Sequence, residues 1–210
     1  MTSVAAEARR GADPTRNGWW REALAPVARA LLGLFGWRVE GTLPTAEKFV
    51  LVAAPHTSNW DGLILVLCGF ALAMPLVWLG KRELFKGPAG WALRRLGGIA
   101  LDRAAPAEAV REATRALAAR DRVALAIPPE GTRKRAPQWK MGFYVIARHA
   151  RVPIVLGFVD YRRRVAGIGP RVDPTGNVAE DMASIRAFYE TVTARYPDQV
   201  GPVAHAGSDG

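Results

Sequence analysis

Two short polar runs hold most of the side chains able to do chemistry, and each directly follows an apolar stretch. The first is Pro55-His56-Thr57-Ser58-Asn59-Trp60-Asp61-Gly62; the second is Ile127-Pro128-Pro129-Glu130-Gly131-Thr132-Arg133-Lys134-Arg135. On an ideal helix, residues five apart point about 140° away from each other, so His56 and Asp61 can meet only if a turn carries the histidine. With His56 in a loop and Asp61 in the first turn of the helix that follows, the carboxylate can accept a hydrogen bond from one ring nitrogen. The other nitrogen is then free to act as a general base on a hydroxyl or on water. The same two residues also fit a helix-capping aspartate beside a histidine bonded to backbone.

In the second run Gly131 permits a tight turn, Thr132 offers a hydroxyl, and Arg133 presents a planar donor fork that matches a phosphate. Lys134, Arg135 and Lys140 add positive charge. A third run, Gly80-Lys81-Arg82-Glu83-Leu84-Phe85-Lys86, also follows an apolar stretch. Each basic run, taken alone, also fits a solvated loop. No Gly-x-Ser-x-Gly run supports a serine nucleophile. A metal site built from His56, Asp61, Asp102 and Glu130 lacks a close ligand pair of the His-Glu-x-x-His type, and no metal is expected.

These runs must be displayed by a scaffold, and the apolar pattern supplies one. Short strand-like stretches near 49–54, 76–79, 98–101, 123–127 and 154–160 alternate with helical ones near 90–96, 106–120, 139–149 and 178–196, which predicts an α/β domain. The uncharged stretch 62–80 is divided by Pro75 into a helix over 62–73 and a strand, both within the core, in preference to a membrane span. We expect a single domain over 41–197 with a mixed central sheet flanked by helices, a disordered start over 1–18 and a frayed tail over 198–210. Residues 1–18 hold no apolar core of the kind a signal peptide needs.

Residues 19–36 have a helical period. Trp20, Leu24, Val27, Leu31, Leu34 and Phe35 fall on one side, with Glu22 and Arg29 opposite and Arg21 on the flank. Residues 19–40 therefore read as an N-terminal amphipathic helix, able to lie in a bilayer interface or to pack on its own domain. Of the 210 residues half are hydrophobic and seven are Trp, and the formal net charge is +10. That balance points to an anionic partner, and the apolar share favours a membrane surface over nucleic acid. The one cysteine, Cys68, has no partner in the chain and sits in an apolar run, so a buried, reduced thiol is expected.

In their order along the chain these runs resemble the glycerolipid acyltransferases, whose best-known members acylate 1-acylglycerol-3-phosphate to phosphatidic acid. His56 and Asp61 match the family's first motif, a histidine, four residues and an aspartate. The run Gly97-Gly98-Ile99-Ala100-Leu101-Asp102-Arg103 resembles the second, and 81–85 resembles the basic segment between them. Pro129-Glu130-Gly131-Thr132-Arg133 contains the core of the third motif whole, and Val152-Pro153-Ile154 resembles the fourth. One departure is Pro128, at a place where the family commonly has phenylalanine.

The resemblance implies that His56 deprotonates the acceptor hydroxyl and that Asp61 orients it. It implies that Arg103 and Arg133 contact the acceptor's phosphate, with Glu130, Gly131 and Thr132 shaping the loop; Lys81, Arg82 and Lys140 are further candidates by charge and position. The co-substrate is then a thioester of coenzyme A or acyl carrier protein, with no bound cofactor. The partners are a lysophospholipid acceptor and anionic membrane lipids, with no nucleic acid, and the place of action is the cytoplasmic face of the cell membrane, held peripherally. Two other readings use the same residues: a lipid hydrolase, and a non-enzymatic basic module that binds membranes or nucleic acid.

Overall fold

The computed structural model describes residues 19–101 and 106–204. The expectation for residues 1–18 and the candidate Arg103 lie outside them. The elements run α1 (Trp19–Leu34), β1 (Arg38–Glu40), β2 (Lys48–Ala53), α2 (Asn59–Ala71), β3 (Leu76–Lys81), a 3-10 turn (Arg82–Phe85) and α3 (Gly87–Arg95). They continue with β4 (Gly98–Leu101), α4 (Pro106–Ala118), β5 (Val123–Ile127), α5 (Gly142–Ala150), β6 (Ile154–Asp160), β7 (Val165–Val172) and α6 (Val178–Tyr189).

The seven strands form one sheet in the order β1-β7-β6-β2-β5-β3-β4. Pairing is parallel except between β6 and β7, so the sheet is mixed, as expected. The carboxyl ends of β2, β3, β4, β5 and β6 therefore open onto one rim, where an α/β sheet displays functional groups. All five expected strands are present. β1 and β7 were not expected, and glycine explains the second. Gly167 lies so close to β1 that a methyl group there would sit 2.1 Å from the Glu40 carbonyl oxygen, and at Gly169 it would sit 2.3 Å from the Phe188 ring. Close approach selects glycine here, and the alternating apolar pattern of a strand is lost.

The central strands are buried on both faces, as parallel strands are when helices cover them. On one face Val50, Val52, Leu125, Ile154 and Leu156 pack with Phe143, Ile146, Met182 and Ile185 of α5 and α6. On the other, Leu51, Leu76, Ala126 and Val155 meet Leu65, Val66 and Leu72 of α2 and its end. Pro75 divides 62–80 into α2 and β3, as its geometry requires, although α2 begins at Asn59 and not at 62. Among the described residues no helix is long and apolar enough to cross a membrane. Cys68 is buried in α2, and that burial pushes its thiol up to about 12, which leaves it unreactive at neutral pH.

Helix α1 packs on α2 by a face that its apolar period mostly does not mark, with Trp20 the one residue of the apolar side that turns inward. Ala28 and Leu32 are buried, Trp20 meets Phe70 at 5.8 Å, and the buried Arg21 donates to the Met74 carbonyl at 2.7 Å. The apolar stripe itself faces outward: Leu24, Val27, Leu31, Leu34 and Phe35 are all exposed. Pro26 lies within this helix. The terminal helix stops at Tyr189, short of the expected 196. Residues 200–204, expected as part of a frayed tail, are docked: the Trp139 amide donates to the Ala204 carbonyl at 2.8 Å and Arg186 Nε to the Val203 carbonyl at 3.0 Å.

Helix α3 sits on the same face of the sheet as α2, held by one close approach. Phe85 stacks on Trp78 at 5.6 Å, and a methyl group at Gly90 would lie 2.1 Å from the Phe85 backbone. Ala normally favours a helix over Gly by about 1 kcal/mol. Gly90→Ala should reverse that sign and destabilise by roughly 1–3 kcal/mol through overpacking, which urea denaturation will measure; a stabilised variant would contradict this packing.

Candidate active site

The first polar run leaves β2 through a cis Ala54–Pro55 peptide, and α2 starts at Asn59 with Ser58 as its N-cap. This places Asp61 in the first helical turn, where a carboxylate meets the unpaired amides of the helix start. Its oxygens are fully engaged. Oδ2 accepts from the Thr57 amide at 2.6 Å and the Ser58 amide at 2.7 Å. Oδ1 accepts from Ser58 Oγ at 2.7 Å and from the Tyr161 hydroxyl at 2.6 Å. Burial and the bond to Asp61 both raise the Tyr161 phenol, which keeps it a proton donor.

His56 is half-buried, and its Nδ1 lies 3.9 Å from Asp61 Oδ2. The two side chains are thus neighbours, as the turn geometry requires. The separation exceeds a hydrogen bond, so the expected ring-to-carboxylate bond is replaced by an electrostatic contact. Asp61 acts on the histidine by a second route, because its bonds to the amides of Thr57 and Ser58 fix the backbone directly after it.

The second polar run leaves β5, which pairs with β2, and so reaches the same loop. Glu130 is buried, and its Oε1 accepts from the His56 amide at 3.0 Å. Its other oxygen, Oε2, is buried with no hydrogen-bond partner among the described residues. Burial is the main cause that pushes this carboxyl up to about 7, and the nearby Asp61 adds to it. Gly131 adopts a left-handed φ of +64°, and the Lys140 side chain passes over it. Thr132 and Arg133 are exposed. Thr132 Oγ1 accepts from the Lys134 amide at 3.2 Å, and an Arg133 guanidinium nitrogen donates to Asn59 Oδ1 of the first run. The two runs are therefore joined twice, through Glu130 to the His56 backbone and through Arg133 to Asn59.

Lys81 and Arg82 are exposed where β3 meets the 3-10 turn, at the same rim. The rim also carries residues that periodicity does not single out. Tyr161 follows β6, and its amide donates to the Thr193 carbonyl at 2.9 Å. Arg195 lies over the rings of Trp60, Tyr161 and Tyr196 at 5.5–5.9 Å. The Tyr196 amide donates to Thr57 Oγ1 at 3.3 Å. The one available signal for Tyr161 is its place just beyond a strand end.

A narrow crevice beside His56 and Asp61 is lined by Ala53, Leu65, Gly157 and Phe158. Behind Ala54 and Pro55 lies a larger cavity of about 400 Å³, lined by Glu130, Trp139, Tyr189, Val192 and the docked segment 200–204. Among the described residues no group of three or more His, Cys, Asp or Glu is placed to hold a metal ion. The arrangement offers a half-buried imidazole, a carboxylate that fixes its loop, and exposed cations along one rim.

Comparison with known proteins agrees with this layout. No curated protein matches the chain. Among solved structures it is similar in fold to the 1-acyl-sn-glycerophosphate (LPA) acyltransferase PlsC from Thermotoga maritima. The TM-score is 0.64 and the identity 22%, over 92% of this chain and 88% of that one. A family model described as Acyltransferase matches residues 37–155, which span both polar runs and the strands that carry them, and so the chain belongs to the acyltransferase family.

Proposed function

We propose that this acyltransferase moves a fatty acyl group from a thioester of coenzyme A or acyl carrier protein to the hydroxyl of a lysophospholipid, with 1-acylglycerol-3-phosphate as the leading acceptor. The observation that carries the reading is the junction of the two loops: His56 and Arg133 are held at one rim by Glu130 and Asn59. His56 takes the proton of the acceptor hydroxyl, and the alkoxide attacks the thioester carbonyl. The tetrahedral adduct collapses, the C–S bond breaks, and the thiolate leaves with the proton that the imidazole held. Asp61 positions the histidine loop and supplies the negative charge near its ring.

Arg133, with Lys81, Arg82 and Lys140, forms the cationic border that receives the acceptor's phosphate, and Arg103 belongs with them by its motif. The exposed apolar stripe of α1 supports peripheral docking on anionic lipid at the cytoplasmic face of the cell membrane. This helix ends at the rim, where Arg164 donates to the Phe35 carbonyl at 3.4 Å. A bound lipid acceptor thus enters from the bilayer side.

His56→Ala should lower kcat by about 10² to 10⁴ with the fold retained by circular dichroism, and full activity would exclude the general base. Arg133→Ala should raise KM for a phosphorylated acceptor by about 10- to 100-fold, the loss of one charge-assisted pair. An unchanged KM would move the phosphate site elsewhere. Glu130 has a signature in stability. Its folded value of about 7 stands above the ordinary 4.5. Over that interval the folded state binds the proton more tightly than the unfolded chain, so its contribution is full below pH 4.5 and is lost as pH rises through 7. Glu130→Gln can still accept from the His56 amide but does not titrate. Between pH 5 and 8 the variant should gain about 3 kcal/mol relative to wild type in urea denaturation, and parallel stabilities would contradict the burial argument.

A further inference from the structure

Helix α3 is thinly covered by the rest of the domain. In its nine residues only Gly90 is buried, and Trp91 is 63% exposed. Leu84, in the turn before it, and Leu96, just after it, are exposed as well. A charged border surrounds this apolar ledge: Lys81, Arg82, Lys86, Arg94 and Arg95 are exposed, against the single acid Glu83. Two guanidinium groups lie against rings, Arg95 over Trp91 at 4.8 Å and Arg94 over Phe85 at 5.2 Å. Tryptophan beside arginine, with apolar area below and cations at the margin, is the composition of a headgroup-level anchor.

The position of the ledge adds to its composition. Trp78 and Leu76 point to the face that α2 covers, and Phe85 stacks on Trp78, so α3 shares that face with α1 and α2. α1 packs beside β1 and β7, whereas α3 flanks β3 and β4. The two are about five or six strand spacings apart, on the order of 25–30 Å. Among the described residues the exposed large apolar side chains outside this face are Val145 and Tyr196; Trp60 and Leu63 of α2 lie between the two rails. The described residues of the opposite face, under α5 and α6, carry no comparable apolar area.

We propose that the ledge formed by Leu84, Trp91 and Leu96 with Arg94 and Arg95 is a second membrane anchor, which seats the face bearing α1, α2 and α3 on an anionic bilayer. One rail alone would leave the protein free to roll about its axis. Two rails fix the tilt and hold the His56 rim at headgroup depth, with Lys81 and Arg82 beside the ledge. The proposal extends the docking assigned to α1 and does not depend on the acyltransferase chemistry, because its test contains no substrate.

The direct test places an environment-sensitive fluorophore at Ala92→Cys in full-length protein carrying Cys68→Ala, which removes the one native thiol. With vesicles of equal phosphatidylglycerol and phosphatidylcholine, the label should shift to the blue and be quenched by lipids brominated in their acyl chains. A label that stays aqueous while one at Val27→Cys enters the bilayer overturns the proposal. Independently, replacing Leu84 and Trp91 by Ser and Arg94 and Arg95 by Gln should weaken vesicle binding by at least about 30-fold at low salt, with the thermal midpoint retained. Unchanged vesicle binding overturns it. So does a variant that keeps vesicle binding but loses binding to acyl carrier protein, since the ledge would then dock that acidic protein. Should the fourfold variant fail to fold, Trp91→Phe replaces it. Quenching of the intrinsic tryptophan fluorescence by brominated lipids should then fall relative to wild type, and quenching that does not fall overturns the proposal.

Discussion

The site depends on one carboxylate that is saturated with donors. Asp61 receives two backbone amides, a serine hydroxyl and a tyrosine hydroxyl. These come from the loop after β2, from the start of α2 and from the turn after β6. A buried carboxyl with a missing partner would cost several kcal/mol, so these segments are bound to one geometry by the requirement that its lone pairs be filled. His56 inherits its position from that requirement. Its ring stands 3.9 Å from Asp61, and the chain that carries it is clamped, on one side by Asp61 and on the other by Glu130.

Glu130 works the opposite way. Its Oε1 holds the His56 amide, while Oε2 lies buried with no partner among the described residues, and burial raises the carboxyl to about 7. A neutral apolar residue would pack more cheaply at this place. Keeping a costly carboxyl where the loop after β5 touches the loop after β2 exchanges stability for registry between the two, a trade expected at functional sites. The left-handed turn at Gly131 then directs Arg133 across to Asn59, so that His56 and Arg133 arrive together although 77 positions separate them in sequence.

Much of this was legible in the residues because each polar run follows an apolar strand, and parallel strands deliver their ends to one rim. The motif order identified the family, and Pro75 separated α2 from β3. Other features left no local trace. Tyr161 reaches Asp61 across 100 positions, a contact set by tertiary topology. β7 lost its alternation to Gly167, Gly169 and Pro170, because the backbone of β1 and the Phe188 ring come too close for side chains there. The period of α1 correctly defined an apolar stripe but did not reveal that the helix is docked by other residues. Ala28, Leu32 and a buried Arg21 form most of that contact beside Trp20 of the stripe, and a small residue and an arginine carry little hydrophobic signal.

That inversion in α1 has an energetic meaning. A helix whose most apolar side chains face outward gives up, at about 25 cal/mol per Å², burial that a rotated helix could obtain from its own domain. The fold forgoes it on the face that also bears α3 and Trp91, and on that face the chain concentrates exposed tryptophan, leucine and arginine. For the proposed reaction the exchange is favourable. Extracting a lipid acceptor from a bilayer costs about 0.8 kcal/mol per methylene, on the order of 12 kcal/mol for a sixteen-carbon chain. An enzyme seated at headgroup depth avoids that cost, because the hydroxyl need move only from the interface to the His56 rim while the chain stays among its neighbours. Exposed apolar area, a burden for a freely diffusing protein, then lowers the barrier to the encounter on which the chemistry depends.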